Sequence, residues 1–295
     1  MTTDHQPEPT SWSDKLRRQL PSPGMRLRER LDADSLVTNG FYLYTALLVL
    51  FLWTPLLIVV FLSFAENSTA IFPFEGFTLR HYAATALNER LIEAALMSIQ
   101  IATVSASGAT VLGVLASFGI VRYKFRFKGA FVTAGLLPLV IPGVIFGASF
   151  LIFYNTILDS STGFWPLVLA HSVYGFPFVM LAVLSRLYIF DESLEESARD
   201  LGADLPRAFW DITFPIIRPA IGAGFLFAWI RSFEDFMRAL FISGTLNVLT
   251  IEMFSLIRFG RTAPINVVSS IIFVLIAVVL VVAMRLGNVV DYVSN

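Results

Sequence analysis

Several runs of apolar residues in this chain are long enough to cross a lipid bilayer. A helix rises about 1.5 Å per residue, so roughly 17 to 25 apolar residues cover the hydrocarbon core. Only 15% of the 295 residues are charged, whereas soluble domains carry about 25%. The runs therefore predict an integral membrane protein of the all-α class.

Six such runs predict six transmembrane helices. They are Phe41–Leu62, Glu93–Val121, Gly129–Phe153, Phe164–Leu187, Pro219–Phe241 and Ile265–Arg285. Residues 1–40, which precede the first run, contain four prolines and mixed charges. We expect these residues to form a tail that is disordered or lies on the membrane surface, and residues 41–295 to form the six-helix membrane domain.

The basic side chains predict the orientation of these spans. Fifteen Lys and Arg residues flank one side of the predicted helices and four flank the other. The four are Arg80, Arg90, Arg258 and Arg261. Because short cytoplasmic segments carry the excess of basic residues, both termini and the link between the fourth and fifth spans are predicted to be cytoplasmic.

The composition argues against several kinds of site. The chain has no cysteine, and His5, His81 and His171 lack the spacing of metal ligands. No G-x-x-x-x-G-K-[ST] motif occurs, so the chain is not expected to bind ATP phosphates. A net charge of -1 suggests no nucleic-acid partner. We expect no catalytic residues, no metal and no cofactor in this chain.

Residues in the second and third spans predict how these helices pack and bend. Small residues form one face of the second span: Ala102, Ala106, Ala109, Gly113 and Ala116. They predict close packing against another helix, with a pore-lining face as the alternative. Pro138 and Pro142 predict a bend in the third span, which could be a fixed kink or a hinge.

A charged stretch, EESARDLGADLPRAFWDITFP (Glu195–Pro215), interrupts the apolar pattern between the fourth and fifth spans. Asp191 predicts the N-cap of a helix that begins at Glu192, and Gly202 predicts its end. The apolar stripe of this helix is Leu194, Ala198 and Leu201.

A second short helix is predicted to begin after Asp204, with Pro206 in its first turn and Pro215 as its stop. Its apolar face is Leu205, Phe209 and Ile212. The link, over about residues 188–215, is thus predicted to be a two-helix loop with a glycine corner. Periodicity alone is equally compatible with a solvated loop that rests on the membrane surface.

The spacing of this stretch resembles the EAA loop of permease subunits in binding-protein-dependent ABC importers. The family pattern is Glu-Ala-Ala, three residues, Gly, nine residues, Ile, one residue, Leu-Pro. The corresponding residues here are Glu196, Ser197, Ala198, Gly202, Ile212, Phe214 and Pro215. Ser197 replaces an alanine of the pattern and Phe214 replaces a leucine.

The resemblance implies that the loop docks onto a separate cytoplasmic ATPase, which binds ATP and Mg²⁺. The implied coupling residues are Glu196, Ser197, Ala198, Gly202, Ile212 and Pro215. One six-span unit forms half of a solute path, so the resemblance also implies a second permease, expected to be a different chain. Two copies of the ATPase and an extracytoplasmic solute-binding protein complete the implied importer.

Three further segments resemble permeases of spermidine/putrescine importers. They are FPFEGFTLRHY (Phe72–Tyr82), SFEDF (Ser232–Phe236) and MFSLIRFGRTAPINVVSSI (Met253–Ile271), the last without an acidic residue that the family pattern has. The resemblance implies a polyamine as the solute. Thiamine, ferric iron, an aminophosphonate or an opine stay open, as do a stand-alone secondary carrier and an intramembrane enzyme.

Four ionisable residues lie in the predicted fifth span: Arg231, Glu234, Asp235 and Arg238. Charges within a span are costly and usually face a water-filled path or the interior of the bundle. One hypothesis is that Glu234 and Asp235 bind a cationic solute beside Phe233 and Tyr174. The alternative is that both acids only form i,i+4 ion pairs with the two arginines.

Overall fold

The structure is a computed structural model that describes residues 23–69, 72 and 74–286. Residues 1–22 of the predicted tail and residues 287–295 lie outside the described residues. The described residues form twelve α-helices and two short π-helical turns. The helices are α1 (Pro23–Phe64), α2 (Arg80–Ala86), α3 (Glu89–Arg122), α4 (Lys128–Val140), α5 (Gly143–Ile152), α6 (Phe164–Ile189), α7 (Ser193–Asp200), α8 (Leu205–Ala208), α9 (Phe214–Phe233), α10 (Met237–Ile242), α11 (Leu249–Arg258) and α12 (Thr262–Leu286).

The predicted all-α membrane class is confirmed at this coarse level. Within the described part of the chain, four helical segments are long and apolar enough to cross a membrane. They are Val37–Phe64, Glu89–Arg122, Phe164–Ile189 and Leu205–Phe233. A bent pair of helices, α4 and α5, gives a fifth candidate, and α12 contributes the shorter apolar stretch Thr262–Val278.

The predicted third span is not one continuous helix. Its two halves, Lys128–Val140 and Gly143–Ile157, meet at an angle of 102°. Ile141 has an extended backbone, with φ -69° and ψ 124°, because the ring of Pro142 disfavours the helical conformation in the residue before it. Pro142 therefore produces a break that is sharper than the predicted bend, whereas Pro138 lies within α4.

The chain divides into two units, Met1–Phe61 and Leu62–Asn295. Most of α1 belongs to the first unit, and its helix already begins at Pro23, within the predicted tail. All candidate site residues belong to the second unit. There α3 begins at an N-cap asparagine, Asn88, whose side chain accepts the backbone N–H of Leu91, and it ends at Arg122, where the helix dipole favours a cation.

Helices α3, α6 and α9 pack closely because glycines face one valine of α6. A Cβ atom at Gly113 of α3 would lie 2.6 Å from the Cβ of Val179, and one at Gly224 of α9 would lie 2.8 Å from its Cα. Ser117 of α3 donates a hydrogen bond to the carbonyl of Met180 at 3.0 Å. These contacts confirm that the small-residue face of α3 is a packing face.

Candidate functional site

The first helix of the loop, α7, begins one residue later than predicted. Its first residue is Ser193, and a carboxylate oxygen of Asp191 accepts the Ser193 backbone N–H at 3.0 Å. Hydrogen bonds from the side chain and then the backbone of Ser193 lower the pKa of Asp191. The carboxylate is therefore charged where the helix dipole favours an anion.

The chain turns at Gly202, directly after α7 and Leu201. Gly202 has φ 95°, a conformation that strains any residue with a side chain. The turn is closed by hydrogen bonds from the N–H of Gly202 to the carbonyl of Arg199, at 2.9 Å, and from the N–H of Ala203 to the carbonyl of Ala198, at 3.0 Å. The direction of the chain after α7 therefore depends on this glycine.

The second helix of the loop begins as predicted but does not stop at Pro215. Asp204 caps it by accepting the backbone N–H of Arg207 at 2.9 Å, and Pro206 lies in its first turn. The helix then passes through the π turn Phe209–Thr213 into α9. Because α9 begins at Phe214, Pro215 occupies its first turn, where a missing N–H is tolerated.

The structure brings three of the six predicted coupling residues together at one groove. Ala198, Gly202 and Ile212 line a groove between α7 and α8. Glu196 and Ser197 are exposed on α7. Pro215 does not line this groove.

Leu201 also lines the groove but was not among the predicted contacts. The pattern assigned it to an apolar stripe, and in the structure the residue is 91% exposed.

Asp235 lies in a buried ionic cluster. Its Oδ2 atom is 2.9 Å from Nε2 of His171 and 3.1 Å from Nε of Arg238. The side chains of His171, Asp235 and Arg238 are 3%, 8% and 4% exposed. The other ring nitrogen of His171 is 2.7 Å from the hydroxyl of Ser232.

Tyr174 contacts two arginines. Its hydroxyl accepts a hydrogen bond from Arg231 at 2.8 Å, and the guanidinium of Arg238 lies 3.4 Å from the centre of its ring. This aromatic side chain therefore joins the buried cluster to the more exposed Arg231 through hydrogen-bond and cation–π contacts.

The two predicted i,i+4 ion pairs are wrong. Helix α9 ends at Phe233, and the chain is not helical again until Met237. The acids instead pair at i,i+3: Glu234 with Arg231, and Asp235 with Arg238. Neighbouring acids therefore have different surroundings, because Asp235 is buried whereas the side chain of Glu234 is 49% exposed.

Glu234 borders a mainly apolar groove beside α9. The rings of Trp229 and Phe233 also line it, and they stack with their centres 5.1 Å apart and an angle of 8° between their planes. Thr250 and Met253 of α11 border the same groove. A carboxylate next to aromatic faces is an arrangement that suits an organic ammonium group.

The sequence of this chain is similar to those of membrane components of transport systems. The family model for the binding-protein-dependent transport system inner membrane component matches residues 109–291. The chain is 33% identical over 228 residues to the spermidine/putrescine transport system permease protein PotC of Haemophilus influenzae, covering 76% of this chain and 87% of that protein. It is 33% identical over 236 residues to the putrescine transport system permease protein PotI of Escherichia coli, covering 78% and 84%.

A similar fold occurs in a chain of a bacterial ABC transporter involved in the import of the acidic polysaccharide alginate. The two structures superpose with a TM-score of 0.65, over 89% of this chain and 98% of that chain. Their sequence identity is 18%, so this likeness concerns the fold alone.

Proposed function

Because this chain belongs to the family of binding-protein-dependent transport system inner membrane components and is a permease subunit of an ABC importer, we propose that its solute is a polyamine such as spermidine or putrescine. The similarity to two permeases named for these solutes carries the proposal. The groove with Glu234, Trp229 and Phe233 supports it, because it combines a negative charge with aromatic faces.

Within that groove, Glu234 is the proposed contact for an ammonium group of the solute, with Phe233 beside it. Asp235 and Tyr174 do not line this groove: Asp235 is paired with His171 and Arg238, and Tyr174 contacts Arg231 and Arg238. This division of roles replaces the simpler hypothesis in which both acids bind the solute.

Replacing Glu234 with glutamine should lower polyamine uptake by about ten- to hundredfold, the effect of losing about 1 to 3 kcal/mol of binding. Uptake of radiolabelled spermidine and putrescine is measured in cells that express the chain with its partner subunits. Values are corrected for the amount of assembled complex.

The control separates solute binding from the ion pair with Arg231. If Glu234 only neutralises Arg231, the double change Arg231→Gln with Glu234→Gln should restore uptake. Full recovery in that double variant would contradict the role of Glu234 as a solute contact.

The importer proposed here contains six membrane crossings in this chain, with both termini in the cytoplasm. Four long apolar helices, the bent pair α4–α5 and the apolar part of α12 supply the six. The excess of Lys and Arg beside one set of helix ends supports the orientation.

Cysteine labelling tests this topology, and the chain has no native cysteine to react. A cysteine at Asp204 should react only with reagents that enter the cytoplasm, whereas one at Asn67 should react from outside. The two positions serve as controls for each other. The opposite pattern of accessibility would overturn the orientation and the cytoplasmic position of the loop.

The proposed partners are a second, different permease, two copies of a cytoplasmic ATPase that binds ATP and Mg²⁺, and a solute-binding protein. ATP hydrolysis is assigned to the ATPase. The loop from Ser193 to Thr213 is its proposed docking element, and we call α7 the coupling helix. Its exposed face, with Glu196, Ser197 and Leu201, supports this assignment.

Replacing Gly202 with aspartate should weaken docking of the ATPase without preventing insertion of the permease. A Cβ atom there would meet no other atom within 4 Å, so the expected effect comes from the backbone conformation at φ 95°. Co-purification of the ATPase with the permease measures docking, and uptake is followed in the same cells.

The matched control is Gly260→Asp. Gly260 also has a positive φ, 68°, and a Cβ atom there would also meet nothing within 4 Å, but it lies between α11 and α12 and not in the loop. Normal docking and normal uptake by Gly202→Asp would refute the assignment of the loop.

A further inference from the structure

Arg122, the last residue of α3, contacts the first turn of the coupling helix. Its guanidinium lies 2.6 Å from Oε1 of Glu195 and 3.5 Å from Oε1 of Glu192. The same group lies over the ring of Phe190, at 5.7 Å from the ring centre. One side chain of α3 therefore contacts three residues at and just before the start of α7.

The carboxylate of Glu195 also contacts the helix on the other side of the glycine corner. The oxygen that pairs with Arg122 accepts a hydrogen bond from the hydroxyl of Thr213 in the π turn before α9. Thr213 is fully buried, and the side chain of Glu195 is only 20% exposed. We call Arg122, Glu195 and Thr213 the Glu195 clamp.

The clamp holds one face of the coupling helix and leaves the other face free. Glu195 points to α3 and the π turn, whereas its neighbours Glu196 and Ser197 are exposed. A partly buried pair that is also hydrogen-bonded is less screened by salt than an exposed pair. The coupling helix is thus attached to the membrane helices through side chains as well as through the chain itself.

We propose that the Glu195 clamp transmits the movement of the docked ATPase from the coupling helix to α3 and α9, with Arg122 and Glu195 as positioning residues. The inference rests on the proposed docking of the loop to an ATPase. Helix α3 is suited to receive the movement, because its close packing against α6 at Gly113 joins it to the helix core. Without the clamp, the coupling helix could move while α3 stays in place.

The test compares solute uptake with ATP hydrolysis in the assembled importer, reconstituted in vesicles with its partner subunits. Arg122→Gln and Glu195→Gln should each lower the amount of spermidine imported per ATP hydrolysed by about tenfold, within the usual range for coupling between two sites. The double variant should be no worse than either single one, because both remove the same interaction. The ATPase should still co-purify.

Two further variants distinguish positioning from general damage. Arg126→Gln removes a positive charge from the segment between α3 and α4. The guanidinium of Arg126 contacts the ring of Phe127, so this variant should import a normal amount of spermidine per ATP hydrolysed. Arg122→Lys keeps a charge that can pair with Glu195 and should restore part of the ratio.

If the glutamine variants fail to assemble, Thr213→Val tests the clamp instead. This change removes the hydrogen bond to Glu195 but keeps both charges and the shape of the buried side chain. It should lower the ratio by about two- to fivefold, the effect of one hydrogen bond. A normal ratio in all assembled clamp variants would overturn the proposal. The docking proposal is tested by a different measurement. It fails if the ATPase co-purifies normally with the Gly202→Asp variant.

Discussion

Replacing Asp235 with asparagine should largely prevent accumulation of the folded permease. The change leaves the guanidinium of Arg238, which is 4% exposed, buried without its carboxylate partner 3.1 Å away. Removing one member of a buried ion pair costs about 3–5 kcal/mol, because the remaining charge stays out of water. That loss is a large part of the net stability of about 5–15 kcal/mol that folded proteins have.

The measurement is the amount of monodisperse permease extracted from membranes, together with its melting temperature. Glu234→Gln is the matched control: it makes the same charge change one residue earlier, on a side chain that is half exposed. The double change Asp235→Asn with Arg238→Met should recover most of the protein, because it removes both charges. A normal yield and melting temperature for Asp235→Asn alone would show that the cluster does not stabilise the fold.

Parts of the loop follow local sequence signals. Gly202 has the positive φ and Asp204 makes the cap that the pattern predicts, because both features depend on only a few neighbouring residues. Asp191 is not the N-cap, since the residue before α7 is Glu192. The stop at Pro215 was wrong. A π turn over Phe209–Thr213 connects the helix to α9, and the pattern carries no signal for such a turn.

The predicted fifth span differs from the structure because residues distant in sequence determine part of its conformation. Periodicity predicted a helix through Phe241, but contacts from distant residues hold the segment after Phe233 in another conformation. The hydroxyl of Thr250 donates to the backbone carbonyl of Asp235 at 3.0 Å, and His171 contacts the side chain of the same residue. These partners come from α11 and α6, so the spacing of charges along the predicted fifth span could not reveal which acid is buried.

The Glu195 clamp was missed for a similar reason. Arg122 is one of the fifteen basic residues that predict the orientation of the spans, and Glu195 is only the first residue of the charged stretch Glu195–Pro215. Thr213 has no feature in the sequence that marks it. A residue in α3, one in α7 and one in the π turn meet only in the folded chain.

The small-residue face of α3, by contrast, was predicted correctly, and it gives the second prediction of a large effect. Gly113→Leu should prevent stable packing of α3 against α6. A Cβ atom at Gly113 would already lie 2.8 Å from the backbone nitrogen of Met180 and 2.9 Å from the carbonyl oxygen of Phe176. Backbone atoms cannot rotate away as the end of a side chain can, so the two helices must separate.

Even Gly113→Ala should cost about 1–3 kcal/mol, the usual penalty for extra atoms in a well-packed interior. The larger leucine should cost more. Gly119→Ala and Gly119→Leu are the controls, since Gly119 lies on the same helix and a Cβ atom there meets nothing within 4 Å. Melting temperatures of the four purified variants give the comparison. Because all four replace a helical glycine, helix propensity contributes equally at both positions, and equal melting temperatures at Gly113 and Gly119 would refute close packing at Gly113.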